Sequence, residues 1–70
     1  MAVKQPVPKD PAKVERIMHA AMHTFAVSGY RDAKTDVIAS AATVSKGLLF
    51  HYYGSKQRLY LATVQLATDT

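Results

Sequence analysis

Ser45 and Ser55 bracket the segment Lys-Gly-Leu-Leu-Phe-His-Tyr-Tyr-Gly, and this pair of caps constrains the chain more than any other feature. Between them lies a run that is almost wholly apolar or aromatic, which hydrophobicity alone would assign equally to a strand or a helix. The apolar residues do not alternate, which argues against a half-buried strand. A serine ahead of such a run accepts hydrogen bonds from the free N–H groups of a first helical turn. The segment therefore reads as a short helix ending near Tyr53-Gly54, with Ser55 opening the next. Val44 before the first cap and Leu49 four residues after it are placed to form a hydrophobic staple.

The same signals divide the rest of the chain. Asp10-Pro11 opens a first helix, because the aspartate caps it and proline fits a position whose N–H is unused. Val14, Ile17, Met18, Ala21 and Phe25 recur at helical spacing as one narrow apolar stripe. Gly29 is expected to end this helix in the left-handed conformation, with Tyr30 folding back on the last turn. A second helix is expected over residues 35–42, from Thr35 to Ala42. Val37, Ile38 and Ala41 form its buried side, and Ala39 and Ala42 permit a close neighbour. In the fourth helix Leu59, Ala62, Val64 and Leu66 supply the apolar positions. No clear stop signal precedes Thr70, as expected for a helix that continues. Residues 1–9, with Lys4, Pro6, Pro8 and Lys9, read as a flexible basic arm. Residues 10–70 then form one all-α domain, a small bundle of three to four helices.

Charge narrows the partners. Nine Lys and Arg against five Asp and Glu leave a net charge of +4, and no acid occurs between Val37 and Thr68, a span holding Lys46, Lys56 and Arg58. A basic stretch of this kind suits nucleic acid or an anionic membrane surface; the plainer alternative is a solvated face kept soluble by lysine. Arg58 reads as such a solvated charge. With 70 residues and no cysteine, the chain is at most one domain, without disulfides or thiolate metal sites. Neither a signal peptide nor an apolar run of the ~18 residues needed to span a membrane is present, so a cytoplasmic protein is expected. His19 and His23 have zinc-binding spacing, but residue 20 is alanine where a metalloprotease has glutamate, and no third ligand is near. No nucleophile, base and acid set appears either. We expect no metal, no cofactor and no enzymatic activity.

Two short helices joined by about three residues, with small residues at their crossing, form the skeleton of a helix-turn-helix. Ala39 supplies the small residue, Thr43 the bend and Leu49 the aliphatic anchor, with Ile38 and Val44 completing the small core. Phe25-Ala-Val-Ser-Gly29-Tyr30, then Ile38-Ala39, Val44-Ser45-Lys46-Gly47 and His51-Tyr52-Tyr53-Gly54-Ser55-Lys56 together resemble the N-terminal DNA-binding domain of TetR-family transcriptional regulators. The resemblance covers roughly residues 11–66 and rests on several motifs agreeing in order and spacing.

It implies a homeodomain-like fold and a DNA-binding regulator, most commonly a repressor, acting as a two-fold dimer on palindromic operators. The helix capped by Ser45 would enter the major groove, bringing Lys46, Gly47, Leu48 and His51 to the bases, with Lys46 able to meet guanine acceptors or a phosphate. Phe50 and Tyr52 would rest on the sugar-phosphate backbone. Lys56 matches a family phosphate contact, and Lys34 and Thr35 are candidates for the same task at a helix N-terminus. The chain departs from the family pattern at Thr43, where glycine is usual, at Leu48, where threonine is usual, and at Phe50, where tyrosine is common. Simple packing is an alternative role for Leu48, as is covering the core edge for Tyr52. Family dimers form through a larger C-terminal domain that also holds an inducer pocket, so this segment alone is expected to bind weakly, as a monomer. A helical protein-interaction module docking through Phe50 and Tyr52 is the rival reading, and a basic amphipathic segment on a membrane the third.

Overall fold

The structure is a computed structural model and describes residues 9–69; the expected arm before Lys9, and Thr70, lie outside the described residues. Four helices follow one another: α1 (Pro11–Asp32), α2 (Thr35–Ala42), α3 (Lys46–Tyr53) and α4 (Lys56–Asp69). Asp10 caps α1 through its side chain, which accepts from the Ala12 N–H at 2.9 Å, and Pro11 opens the helix. Ser45 Oγ accepts from the Leu48 N–H at 3.0 Å and Ser55 Oγ from the Arg58 N–H at 3.1 Å. The polar caps visible in the sequence thus set three of the four helix starts.

Each helix contributes one fully buried aliphatic side chain to the centre: Ile17, Ile38, Leu49 and Leu59. Met18, Ala21, Phe25, Ala33, Ala39 and Ala42 pack around them. The α1 stripe is as expected, apart from Val14 at its margin. In α2 the buried set is Ile38, Ala39 and Ala42, so the expected face needs correction. Val37 is 52% exposed and Ala41 is exposed. The reason is that α2 packs against both α1 and α3, which turns its small residues inward. In α4 the inward positions are Leu59 and Thr63, with Ala62 half-buried, while Val64 and Leu66 are exposed. Thr63 can be buried because its hydroxyl donates to the Tyr60 carbonyl at 2.6 Å, removing the cost of an unpaired polar group.

Gly29 also differs from expectation. Its φ is positive, at 77°, but ψ is 165°, so it is extended rather than left-handed helical, and one further turn follows it to Asp32. Glycine is the residue that tolerates this backbone. The extra turn is closed by the Ala33 N–H on the Gly29 carbonyl at 3.0 Å, and it brings Ala33 into the core. Tyr30 does fold back: its ring stacks on Phe25 with centroids 6.0 Å apart, and Tyr60 meets both rings edge-on at 5.0 Å.

Between α2 and α3 the chain reverses through Thr43, which has φ 59° and ψ 43°. The Val44 N–H reaches back to the Ala39 carbonyl at 3.0 Å and the Thr43 N–H to Ser40 at 3.1 Å, the paired bonds of a Schellman ending. The Ala42 carbonyl accepts from Arg16 Nε at 2.9 Å, tying α1 to the same turn. A β-branched residue in left-handed backbone costs on the order of 1–2 kcal/mol. Thr43→Gly relieves it, less the extra chain entropy that glycine loses on folding. We expect the variant to gain roughly 1 kcal/mol and several degrees in melting midpoint, measured by circular dichroism; an unchanged midpoint would mean that the turn is not strained.

Candidate nucleic-acid interface

α3 has eight residues and is therefore about 12 Å long. Leu49, 1% exposed, is its only buried residue. Lys46, Gly47 and His51 are exposed, and Leu48, Phe50, Tyr52 and Tyr53 are half-buried. The helix is thus held through Leu49, with Tyr52 and Tyr53 packed at the core edge, and is open at Lys46, Gly47 and His51. Leu49 and Tyr53 share the inward side, as their spacing requires. Leu48 is half-buried, with part of its surface outside.

Gly47 has no internal reason to be glycine. A Cβ built there would meet only Ser45 Oγ, at an ordinary 3.9 Å, and φ is not positive. Glycine within a helix is destabilising by roughly 0.5–1 kcal/mol relative to alanine. The fold therefore bears a cost at this position without using the freedom it brings.

The remaining candidates divide into two places. Lys34, Thr35, Lys46 and Lys56 line one shallow groove together with Arg31, Asp32, Ala33 and Asp36, where the end of α1 meets the beginnings of α2, α3 and α4. Four cations face two carboxylates there. Lys34 stands at the N-cap of α2 but makes no side-chain capping bond; the Val37 N–H turns back to the Lys34 carbonyl at 3.1 Å, so the positive end of the helix at Thr35 and Asp36 is the part suited to an anion. Lys56 is held more firmly: its ammonium donates to the Arg31 carbonyl at 3.2 Å and lies 4.7 Å from the centre of the Tyr30 ring. An ammonium has three donors, so it retains capacity for an outside acceptor. Lys46 is paired with Asp36, Nζ to Oδ1 at 2.9 Å.

Tyr52 belongs to the other end of α3. Its hydroxyl accepts from the Asp10 N–H at 3.0 Å, which clamps the start of α1 to the last turn of α3. The oxygen is engaged, but its own O–H is still available to donate. Beside it the Lys9 ammonium lies 5.1 Å from the centre of the Tyr53 ring, and His51 and Tyr52 are tilted neighbours at 6.3 Å. Sequence reasoning missed Arg31 and Asp36 here, and read Lys9 only as part of the basic arm, not as a neighbour of Tyr53. The long separations from Arg31 to Lys56 and from Lys9 to Tyr53 leave no local signal; only the fold brings each pair together. His19 and His23 are exposed on α1, and among the described residues no three His, Cys, Asp or Glu converge on a possible metal position.

Burial pushes the Tyr53 phenol above its usual value of 10.0, and the neighbouring Tyr52 adds to the effect. The folded state therefore keeps this proton where the unfolded chain has lost it. Stability from this group is intact below pH 10 and is lost as pH rises through the folded value. Melting scans above pH 10 should show a smaller decline for Tyr53→Phe than for the parent; equal declines would place the loss elsewhere.

The sequence profile of bacterial regulatory proteins of the tetR family matches residues 17–63. The chain is 38% identical over 58 residues to the HTH-type transcriptional regulator RutR of Escherichia coli, covering 83% of this chain and 27% of that protein. It is 38% identical over 63 residues to the transcriptional activator FasR of Mycolicibacterium smegmatis, covering 90% and 28%. With the transcriptional repressor AcnR of Corynebacterium jeikeium it shares 41% over 49 residues, covering 70% and 25%. The chain thus spans about a quarter of the length of the curated relatives it matches. It belongs to the tetR family of bacterial regulatory proteins, and α2 and α3 are the helix-turn-helix of that family's DNA-binding domain.

Proposed function

We propose that the domain reads double-stranded DNA by laying α3 in the major groove, and that the parent protein represses transcription from palindromic operators as a dimer. One observation carries this reading: Leu49 is the only buried residue of α3, which leaves Lys46, Gly47 and His51 exposed beside a groove lined by four cations and two carboxylates. Lys46, Gly47, Leu48 and His51 meet base edges, and the exposed Gly47 lets the DNA approach the backbone closely. Lys34, Thr35 and Lys56 neutralise phosphates, helped by the uncapped start of α2. Ser45 keeps the first turn of α3 in shape, and Phe50 and Tyr52 flank the sugar-phosphate backbone, with the free Tyr52 O–H as donor.

The rival reading, a protein-docking patch at Phe50 and Tyr52, has less support. Both rings are half-buried. No helix among the described residues is long and apolar enough to cross a membrane.

Titrating duplex DNA into the isotopically labelled domain should shift backbone amides at residues 34–35, 45–52 and 55–56. Each phosphate contact contributes roughly −0.9 to the slope of log affinity on log salt, so a few contacts predict a loss of about tenfold or more between 50 and 200 mM salt. Shifts confined to α4, or binding indifferent to salt, would defeat the reading. Gly47→Ala provides an independent check. It should unfold at higher urea, by up to roughly 1 kcal/mol, and yet bind duplex DNA more weakly; tighter or equal binding would remove close approach as the reason for glycine.

A further inference from the structure

We propose that Asp36 sets specificity by holding Lys46 back from phosphate. The proposal rests on the DNA-binding reading above and adds to it a residue that faces the bases only through its partner. Lys46 is the first residue of α3 and Asp36 lies in the first turn of α2. Their side chains are 58% and 71% exposed and still meet at 2.9 Å. A lysine at a helix N-terminus faces the positive end of the helix dipole, whereas an aspartate in a first turn is favoured there. The carboxylate therefore sits in a favourable place of its own, and it draws the ammonium across the groove toward α2.

Exposed pairs of this kind add little to stability, so the consequence is one of direction and charge. Phosphate attraction is the part of DNA affinity that ignores sequence. With the Asp36 carboxylate 2.9 Å away, the ammonium adds less to that part than a lysine without a carboxylate neighbour. Its two remaining N–H donors point along directions limited by the pair, and a base acceptor in the groove can meet them. Arg31, Lys34 and Lys56 line the same groove without a carboxylate partner among the described ion pairs, so they carry the non-specific attraction. Asp36 thus lowers binding to arbitrary DNA while leaving Lys46 to discriminate.

The test uses this chain and a fluorescent 20-base-pair duplex of random sequence, titrated from 50 to 200 mM potassium chloride. Asp36→Asn removes the charge with little change of shape. It should steepen the slope of log affinity on log salt by about 0.9, which at 0.1 M salt corresponds to roughly eightfold tighter binding. Asp36→Glu, which keeps the charge, should bind as the parent does. In a Lys46→Met background the effect of Asp36→Asn should largely vanish, because the cation that it releases is gone. The proposal is overturned if Asp36→Asn leaves affinity and slope unchanged. It is overturned equally if the variant tightens binding by the same factor with and without Lys46, since Asp36 would then be only a general repulsive charge. Absence of any salt-dependent binding by the parent chain would remove the DNA-binding reading itself, and this proposal with it.

Discussion

The arrangement depends on Leu49. It is the single buried residue of α3 and belongs to one core cluster with Ile17, Ile38 and Leu59, each fully buried and each from a different helix. Burying one leucine is worth roughly 1.5–3 kcal/mol, a large share of what a core of this size can supply. With Tyr52 and Tyr53 only partly buried at the core edge, that anchor leaves Lys46, Gly47 and His51 free of packing duty. A helix bound along two or three lines would have no side left for another molecule. Exposed chemistry on α3 is therefore a consequence of how sparsely the helix is held.

A single attachment point would let the helix swivel, and the contacts at its two ends prevent this. At the start, the left-handed Thr43, the two reaching-back hydrogen bonds and the Arg16 side chain fix the angle between α2 and α3. At the finish, the Tyr52 hydroxyl is joined to the backbone of Asp10, and the Lys9 ammonium lies over the Tyr53 ring. Orientation thus comes from polar contacts at the ends and affinity for the domain from the apolar centre. Lys56 does a similar job for α4 by gripping Arg31 and Tyr30. Two residues proposed to contact DNA, Lys56 and Tyr52, therefore also hold the free protein in shape.

How much of this was legible in the sequence differs from helix to helix. The starts at Asp10-Pro11, Ser45 and Ser55 follow from local hydrogen bonding, and each cap stands where its residue type predicts. The α1 stripe was legible because a long helix repeats its buried face several times. The buried face of α2 was not, since eight residues allow several apolar faces; Val37 and Ala41 were exchanged there for Ala39 and Ala42. Gly29 was recognisable as a break, but its extended ψ was not, because that angle follows from bringing Ala33 into the core. The motif residues of α3 were legible as a set, while their partners Asp36, Arg31 and Asp10 were not.

By itself the sequence determined the four helices, the position of the turn and the residue types offered by α3, because capping, helical periodicity and glycine placement act between near neighbours along the chain. Tertiary structure alone decided which of those residues are free and which already have a partner. Lys46 is drawn to Asp36, Lys56 to Arg31 and Tyr30, and Tyr52 to Asp10, while Gly47 and His51 remain open. Ion pairs and hydrogen bonds need atoms within a few ångströms of each other, and for residues on different helices that distance is settled by packing.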